Sequence, residues 1–260
     1  MKDIKAIFFD VDGTLLDPKL HILPESTLNA LHRLKSKGYK LAVATGRNLE
    51  SCKEANIVDA FEWDGFVCVN GQQVYDQHQN ELYHFIMDEE MVKKIIEVAE
   101  EENINLLFEG KENFLNHPVN DLVIEAHNFF KEAIPDLVKP YEFEPIDMIL
   151  GYAPMDYDWA KFRAIDGVLV YPGESTYADI LALGNSKYEG IKMLLSHWGI
   201  KHAPYAAFGD SLNDMEMMEH AALGIAMGNG NEQLKRIADV ITRPVNQDGI
   251  DFACTYTKLG

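Results

Sequence analysis

The chain has 260 residues, a formal net charge of −19 and 47% hydrophobic residues. That length and apolar content suffice for one large domain or two modest ones. The acidic balance argues against nucleic-acid or anionic-membrane binding, both of which call for clustered Lys and Arg. Cys52, Cys68 and Cys254 are scattered and lack C-x-x-C spacing, which speaks against a disulfide framework or a zinc site. No apolar run approaches bilayer-spanning length, and the first one meets Asp10 too soon for a signal peptide, so a soluble, cytoplasmic protein is expected.

In chain order, Lys5–Phe9 is a β-rich run that ends in Asp10-Val11-Asp12-Gly13-Thr14. Pro24–Lys37 opens on Pro, carries Leu28, Leu31 and Leu34 at helical spacing and stops at Gly38, which predicts a helix. Leu41–Ala44 and Phe66–Val69 read as buried strands that run into Thr45-Gly46-Arg47 and Asn70-Gly71. From residue 82 to residue 183 the character changes. A helix with Met91, Val92, Ile95, Ile96 and Ala99 on one face opens on Asp88-Glu89-Glu90. Strands are predicted at Asn105–Phe108, Met148–Gly151, Val168–Tyr171 and Ile180–Leu183, and helices at Leu122–Phe130 and near Asp156–Ile165. None of these strands ends in the Gly-plus-acid pattern. Beyond them come a helix at Lys187–Trp198 and strands at Tyr205–Phe208 and Leu223–Ala226. Asp214–His220 and Glu232–Ala238 are predicted helices.

The alternation predicts an α/β fold, a Rossmann-like parallel sheet core built from residues 1–81 and 184–260 and interrupted by an inserted α+β segment, 82–183. Polar residues and glycines gather just past the carboxyl ends of four core strands. In parallel sheets that edge is where ligands bind.

Two carboxylates at the tip of a buried strand repel each other and resist desolvation, and they make sense once a cation and a phosphate complete the site. Phosphoryl transfer to a carboxylate needs a nucleophile, a metal, positive charge and a proton shuttle. Asp10, the first residue past the strand, is the candidate nucleophile, and Asp12 the candidate general acid and base. Mg²⁺ prefers oxygen ligands. Asp10 and Asp210 offer carboxylates, Asp12 offers its main-chain carbonyl, and Asp214 could act through water. Thr45 and Gly46, at a helix-compatible turn, suit phosphate oxygens. Arg47 could contact a leaving group or make an ion pair. Lys187 is the candidate cationic clamp, and Gly209-Asp210-Ser211-Leu212-Asn213-Asp214 could equally be an Asx-type cap of the following helix.

In this order the motifs Asp10-Val11-Asp12-Gly13-Thr14, Thr45-Gly46-Arg47, Lys187 and Gly209–Asp214 resemble the haloacid dehalogenase-like hydrolase superfamily, and its Cof-type phosphatase branch in particular. Asn70-Gly71, Ala226-Met227-Gly228-Asn229, Ala238–Thr242 and Asp248-Gly249 fit the same branch. The resemblance implies an aspartyl-phosphate on Asp10, acid/base chemistry by Asp12, and Mg²⁺ held by Asp10, Asp12 and Asp210 with Asp214 in support. It implies phosphate binding by Thr45, Gly46, Lys187 and Asn213, and a cap role for the inserted segment. The partner would be a small phosphorylated metabolite, a sugar phosphate or a phosphorylated cofactor, with oligomeric state open. Tyr188, where relatives often carry Gly, and Gly230, where Ala is common, depart from the pattern. A phosphomutase or a receiver-like signalling module would share part of this chemistry.

Overall fold

The computed structural model describes residues 3–17, 20, 22–130 and 133–259. Its described strands are β1 (Ala6–Phe9), β2 (Lys40–Ala44), β3 (Gly65–Cys68), β4 (Gln73–Asp76), β5 (Glu81–His84), β6 (Asn105–Gly110), β7 (Phe114–Leu115), β8 (Ile146–Tyr152), β9 (Val168–Pro172), β10 (Tyr177–Ala182), β11 (Tyr205–Gly209), β12 (Leu223–Ala226) and β13 (Val240–Ile241). The chain divides into two compact units, one formed by Met1–His84 with Asn185–Gly260 and the other by Phe85–Gly184.

The first unit is built on a sheet ordered β13-β12-β11-β1-β2-β3-β4-β5. Its first six strands are parallel, and β4 and β5 add an antiparallel edge. All four residues of β1 are buried, as are Leu41–Ala44 and the whole of β11, because helices cover a parallel sheet and its strands become continuous apolar runs. Phe8, Ala42, Val67, Ile191, Leu194 and Ala207 share one core cluster. The helix Glu25–Ser36 starts behind Pro24 and buries Thr27, Ala30, Leu31 and Leu34. The helix Lys187–His197 is capped by the Ser186 side chain, which accepts from the Glu189 N–H. Register fixes what the strand ends can do. Phe9 lies opposite Val43 on one side and Phe208 on the other. The residues after these three strands therefore emerge side by side, at the point where the strand order reverses.

The second unit is α+β, with an antiparallel sheet ordered β7-β6-β8-β10-β9. Val92, Ile95 and Ala99 of the helix Glu89–Glu102 pack with Phe108, Ile149, Phe162 and Ile180. Two expectations are corrected here. Leu82, Tyr83 and His84, placed in the insertion from sequence, pair in the first sheet as β5. The helix expected near Asp156–Ile165 is helical only over Ala160–Arg163.

A half-buried ionic knot holds the start of β2. The Asp64 carboxylate accepts from the Leu41 N–H at 2.9 Å and from Lys40 Nζ at 2.8 Å, and it also pairs with Lys35. Burial alone would raise its pKa, but the two ammonium groups and the N–H together hold the carboxyl below its ordinary range. Asp64→Ala is therefore expected to lower the unfolding free energy by about 2–3 kcal/mol, because Leu41 is left with an unpaired buried donor. The stabilisation is complete above the unfolded carboxyl pKa and fades as pH falls through the lower folded value, so the wild-type advantage should shrink below about pH 4. Urea unfolding of the two proteins at pH 7 and pH 3 measures both effects.

Candidate active site

Asp10 follows β1, donates its N–H to the Phe208 carbonyl at 3.0 Å, and is 5% exposed. Lys187, fully buried, sends Nζ to Asp10 Oδ1 and to Asp214 Oδ1, each at 2.7 Å, and lies 3.5 Å from Asn213 Oδ1. Asp214 is also committed on its other oxygen, which accepts from the N–H groups of Asp210 and Ser211. With the Ser211 side chain bonded in return, this closes a capping box over Leu212–Asp214. The cap reading of this segment is thus realised, by residues that also place the Asp210 and Asp214 carboxylates beside Asp10.

Carboxylate oxygens of Asp10, Asp210 and Asp214 lie within 4.8 Å of one another. Thr14 donates its hydroxyl to Asp210 Oδ1 at 3.0 Å. Gly13, at φ +83°, lets the chain pass against Asp210, where a Cβ would stand 2.2 Å from Oδ2. Three carboxylates face one ammonium. Burial, above all, pushes the Asp10 carboxyl up to about 7; Lys187 pulls it back and Asp214 adds repulsion. Burial also drives Asp210 well above its ordinary range, with Asp10 and Asp214 adding to the effect. For Lys187, burial works against the charge, but the attraction of Asp10 and Asp214 wins and the ammonium is held above its usual range. Two like charges this close oppose each other by roughly 3–4 kcal/mol at an effective dielectric near 20. A buried, all-oxygen set with excess negative charge fits a hard divalent cation.

The Asp12 carboxylate stands apart from this cluster, as the expected role of its main-chain carbonyl allows, and accepts from Arg47 Nε at 2.7 Å and Nη2 at 2.9 Å. Any ligand role for Asp12 would run through its main-chain carbonyl. Of the two roles expected for Arg47, the ion pair is formed, 10% exposed on the Arg side, and Ser51 extends it by accepting from Nη1 at 2.8 Å. The Thr45 hydroxyl accepts from the Arg47 N–H, which leaves its own hydrogen to donate. The space a Gly46 side chain would fill is bordered by the amides of Asn70 and Asn213, at 3.4 and 3.7 Å. The structure therefore brings Asp10, Gly46, Lys187, Asp210, Asn213 and Asp214 to one sheet edge.

Three other groups singled out in the sequence, Asn229, Tyr188 and Gly230, lie beside these residues. Asn229 donates to the Gly13 carbonyl at 2.9 Å and accepts from the Val245 N–H, tying down the Asp12–Thr14 turn. Tyr188 does not disturb the neighbourhood of Lys187, because its ring stacks parallel on His220 at 3.9 Å. Gly230 has its own reason: a Cβ there would stand 2.8 Å from the Asp210 carbonyl oxygen.

A sequence profile of haloacid dehalogenase-like hydrolases matches residues 7–253. The chain belongs to this family. Its Cof-type character, named from the motifs, stands with it. The chain is 32% identical to YkrA of Bacillus subtilis, a protein whose phosphatase name is itself provisional, over 96% of each chain. It is 26% identical to the 5-amino-6-(5-phospho-D-ribitylamino)uracil phosphatase YcsE of the same organism, covering 99% of this chain and 97% of that one. Among solved structures, the subclass IIB sugar phosphatase BT4131 superposes with a TM-score of 0.86 at 27% identity, covering 98% of this chain and all of the other. The Rossmann-like core with its inserted unit is the fold of this family, and the protein is an enzyme of the hydrolase class. No helix among the described residues is long and apolar enough to cross a membrane.

Proposed function

We propose that this hydrolase is a magnesium-dependent phosphatase of small phosphorylated metabolites that works through an aspartyl-phosphate on Asp10. The observation that carries the reading is the buried Asp10 carboxylate at the tip of β1, bonded to Lys187 and beside Asp210. Mg²⁺, held by the carboxylates of Asp10 and Asp210 and the Asp12 carbonyl, would neutralise charge on the phosphoryl oxygens. Asp10 attacks phosphorus as the bond to the leaving oxygen breaks, and Asp12 gives that oxygen a proton. Asp12 then takes a proton from water, the water oxygen bonds to phosphorus, and the Asp10–phosphorus bond breaks to release inorganic phosphate. Lys187, the Thr45 hydroxyl, the main chain at Gly46 and the Asn213 amide orient the phosphate. Asp214, with every oxygen already bonded, serves by holding Lys187 and the Asp210 turn.

The inserted unit is read as the cap of the enzyme, the part that selects substrates. Sugar phosphates or phosphorylated cofactors are the substrate class, in keeping with the names of the relatives. Three free cysteines, all buried, accord with the reducing conditions of a cytoplasmic enzyme. The test is a panel of phosphorylated metabolites assayed with and without Mg²⁺. Turnover of at least one that vanishes with EDTA and returns with Mg²⁺ is expected. A stable phosphoprotein with no turnover, or turnover indifferent to metal, would refute the reading.

A further inference from the structure

The loop after β3 is strained in an unusual way. Val69, Asn70 and Gly71 follow one another at φ +49°, +50° and +97°. Asn and Gly visit this left-handed region readily, but for a buried, β-branched Val it is a true outlier. Such strain persists only where neighbours over-determine it, and it concentrates at functional sites. Here the neighbours are specific. The Val69 and Asn70 N–H groups donate to the Arg47 and Thr45 carbonyls, each at 3.0 Å, so this loop is stitched to the one after β2. Gly71 packs so tightly on the start of the helix Lys187–His197 that a Cβ would stand 2.0 Å from the Ser186 carbonyl oxygen.

What the strained loop delivers is the Asn70 side chain. It is 1% exposed, and its Oδ1 accepts from Asn213 Nδ2 at 3.0 Å. Asn213 Oδ1 lies on the other side, 3.5 Å from Lys187 Nζ. An amide has two faces of opposite polarity, and its carbonyl oxygen would repel a phosphate that its N–H₂ would bind. Lys187 beside the oxygen and the Asn70 oxygen on the nitrogen favour one orientation. In that orientation the second hydrogen of Nδ2 is left for a ligand over Gly46, whose missing side chain opens the space between the two amides.

Resting on the phosphatase reading, we propose that Asn70 is a positioning residue that locks the Asn213 amide with its N–H toward the substrate phosphate. Asn70→Gly separates this from the backbone role, because Gly adopts the same φ freely while the amide is lost. The expected result is an increase of about tenfold in KM and in the inhibition constant of inorganic phosphate, with kcat within about twofold, as for loss of uniform binding. Asn70→Ala deletes the same amide but adds backbone strain, so the two variants should agree in phosphate inhibition while differing in Tm. On an Asn213→Ala background, Asn70→Gly should add less than about twofold, since its effect runs through that amide. Parental KM and phosphate inhibition in both Asn70 variants, or effects of Asn70→Gly and Asn213→Ala that simply multiply, would overturn the proposal. Failure of the phosphatase reading itself would be seen separately, as undiminished turnover by Asp10→Asn.

Discussion

Asp10→Asn is expected to abolish turnover, by at least about four orders of magnitude, while raising the melting temperature of the magnesium-free protein. The two effects have one cause. Asp10 sits buried against Asp210 and Asp214 with a single ammonium to offset three carboxylates, and its carboxyl is pushed up to about 7. An ionised Asp10 above that pH costs folding free energy, and an isosteric neutral amide does not. The pH dependence follows in sign. The folded protein binds this proton more tightly than the unfolded chain, so Asp10 makes wild-type stability without metal fall as pH rises from about 4 to about 7. Asp10→Asn should lose Asp10's share of that slope and keep the share of Asp210, whose carboxyl burial also raises. At pH 8, Mg²⁺ should raise the wild-type Tm and leave the variant largely unmoved, because ligand binding stabilises only a fold that can hold the ligand. Calorimetry across pH, with EDTA and with Mg²⁺, reads all three. A variant that melts lower than wild type under EDTA would show that Asp10 stabilises the fold, and the electrostatic picture would be wrong.

Asp10, the proposed nucleophile, was legible because it contradicts its surroundings. An apolar run such as Lys5–Phe9 has no packing use for Asp10 and Asp12 at its tip, and that misfit survives in the bare sequence. Thr45, Asn70 and Asp210 were legible for a related reason, each standing just past a strand whose neighbours emerge at the same edge. The β4–β5 edge was not, because Gln73–Asp76 and Glu81–His84 are largely polar and form on main-chain pairing and a local turn. In that turn the Asp76 carboxylate accepts from the His78 and Asn80 N–H groups. Side-chain partnerships across the fold were hidden as well. Nothing in residue spacing says that Arg47 turns to Asp12 or that Asn70 meets Asn213, since each depends on which loops the sheet order brings together. The net charge of −19 was similarly silent about Lys187, whose potential acts in the buried interior while the surface acids are screened by solvent.

Asp12→Asn should split the reaction into its two halves. With p-nitrophenyl phosphate, whose leaving group departs without a proton, Asp10 still attacks. A burst of one p-nitrophenolate per enzyme is expected, followed by a stall, because the amide cannot draw a proton from water to hydrolyse the aspartyl-phosphate. With an alkyl phosphate, whose leaving oxygen needs the proton, no burst appears and the rate falls by about 10²–10⁴. Arg47 grips the Asp12 carboxylate with two parallel N–H bonds, a geometry that fixes its rotamer. Arg47→Ala releases a half-exposed carboxylate and is expected to cost about 10–100-fold on the alkyl phosphate and less on the nitrophenyl ester. Arg47→Lys should rescue only part, since one ammonium cannot reproduce the fork. Rapid-quench measurement of phosphoenzyme with both substrates decides the matter. Equal losses on both, with no phosphoenzyme accumulating in Asp12→Asn, would assign the proton transfers to some other group and leave the Arg47–Asp12 pair a purely structural link between the loops after β1 and β2.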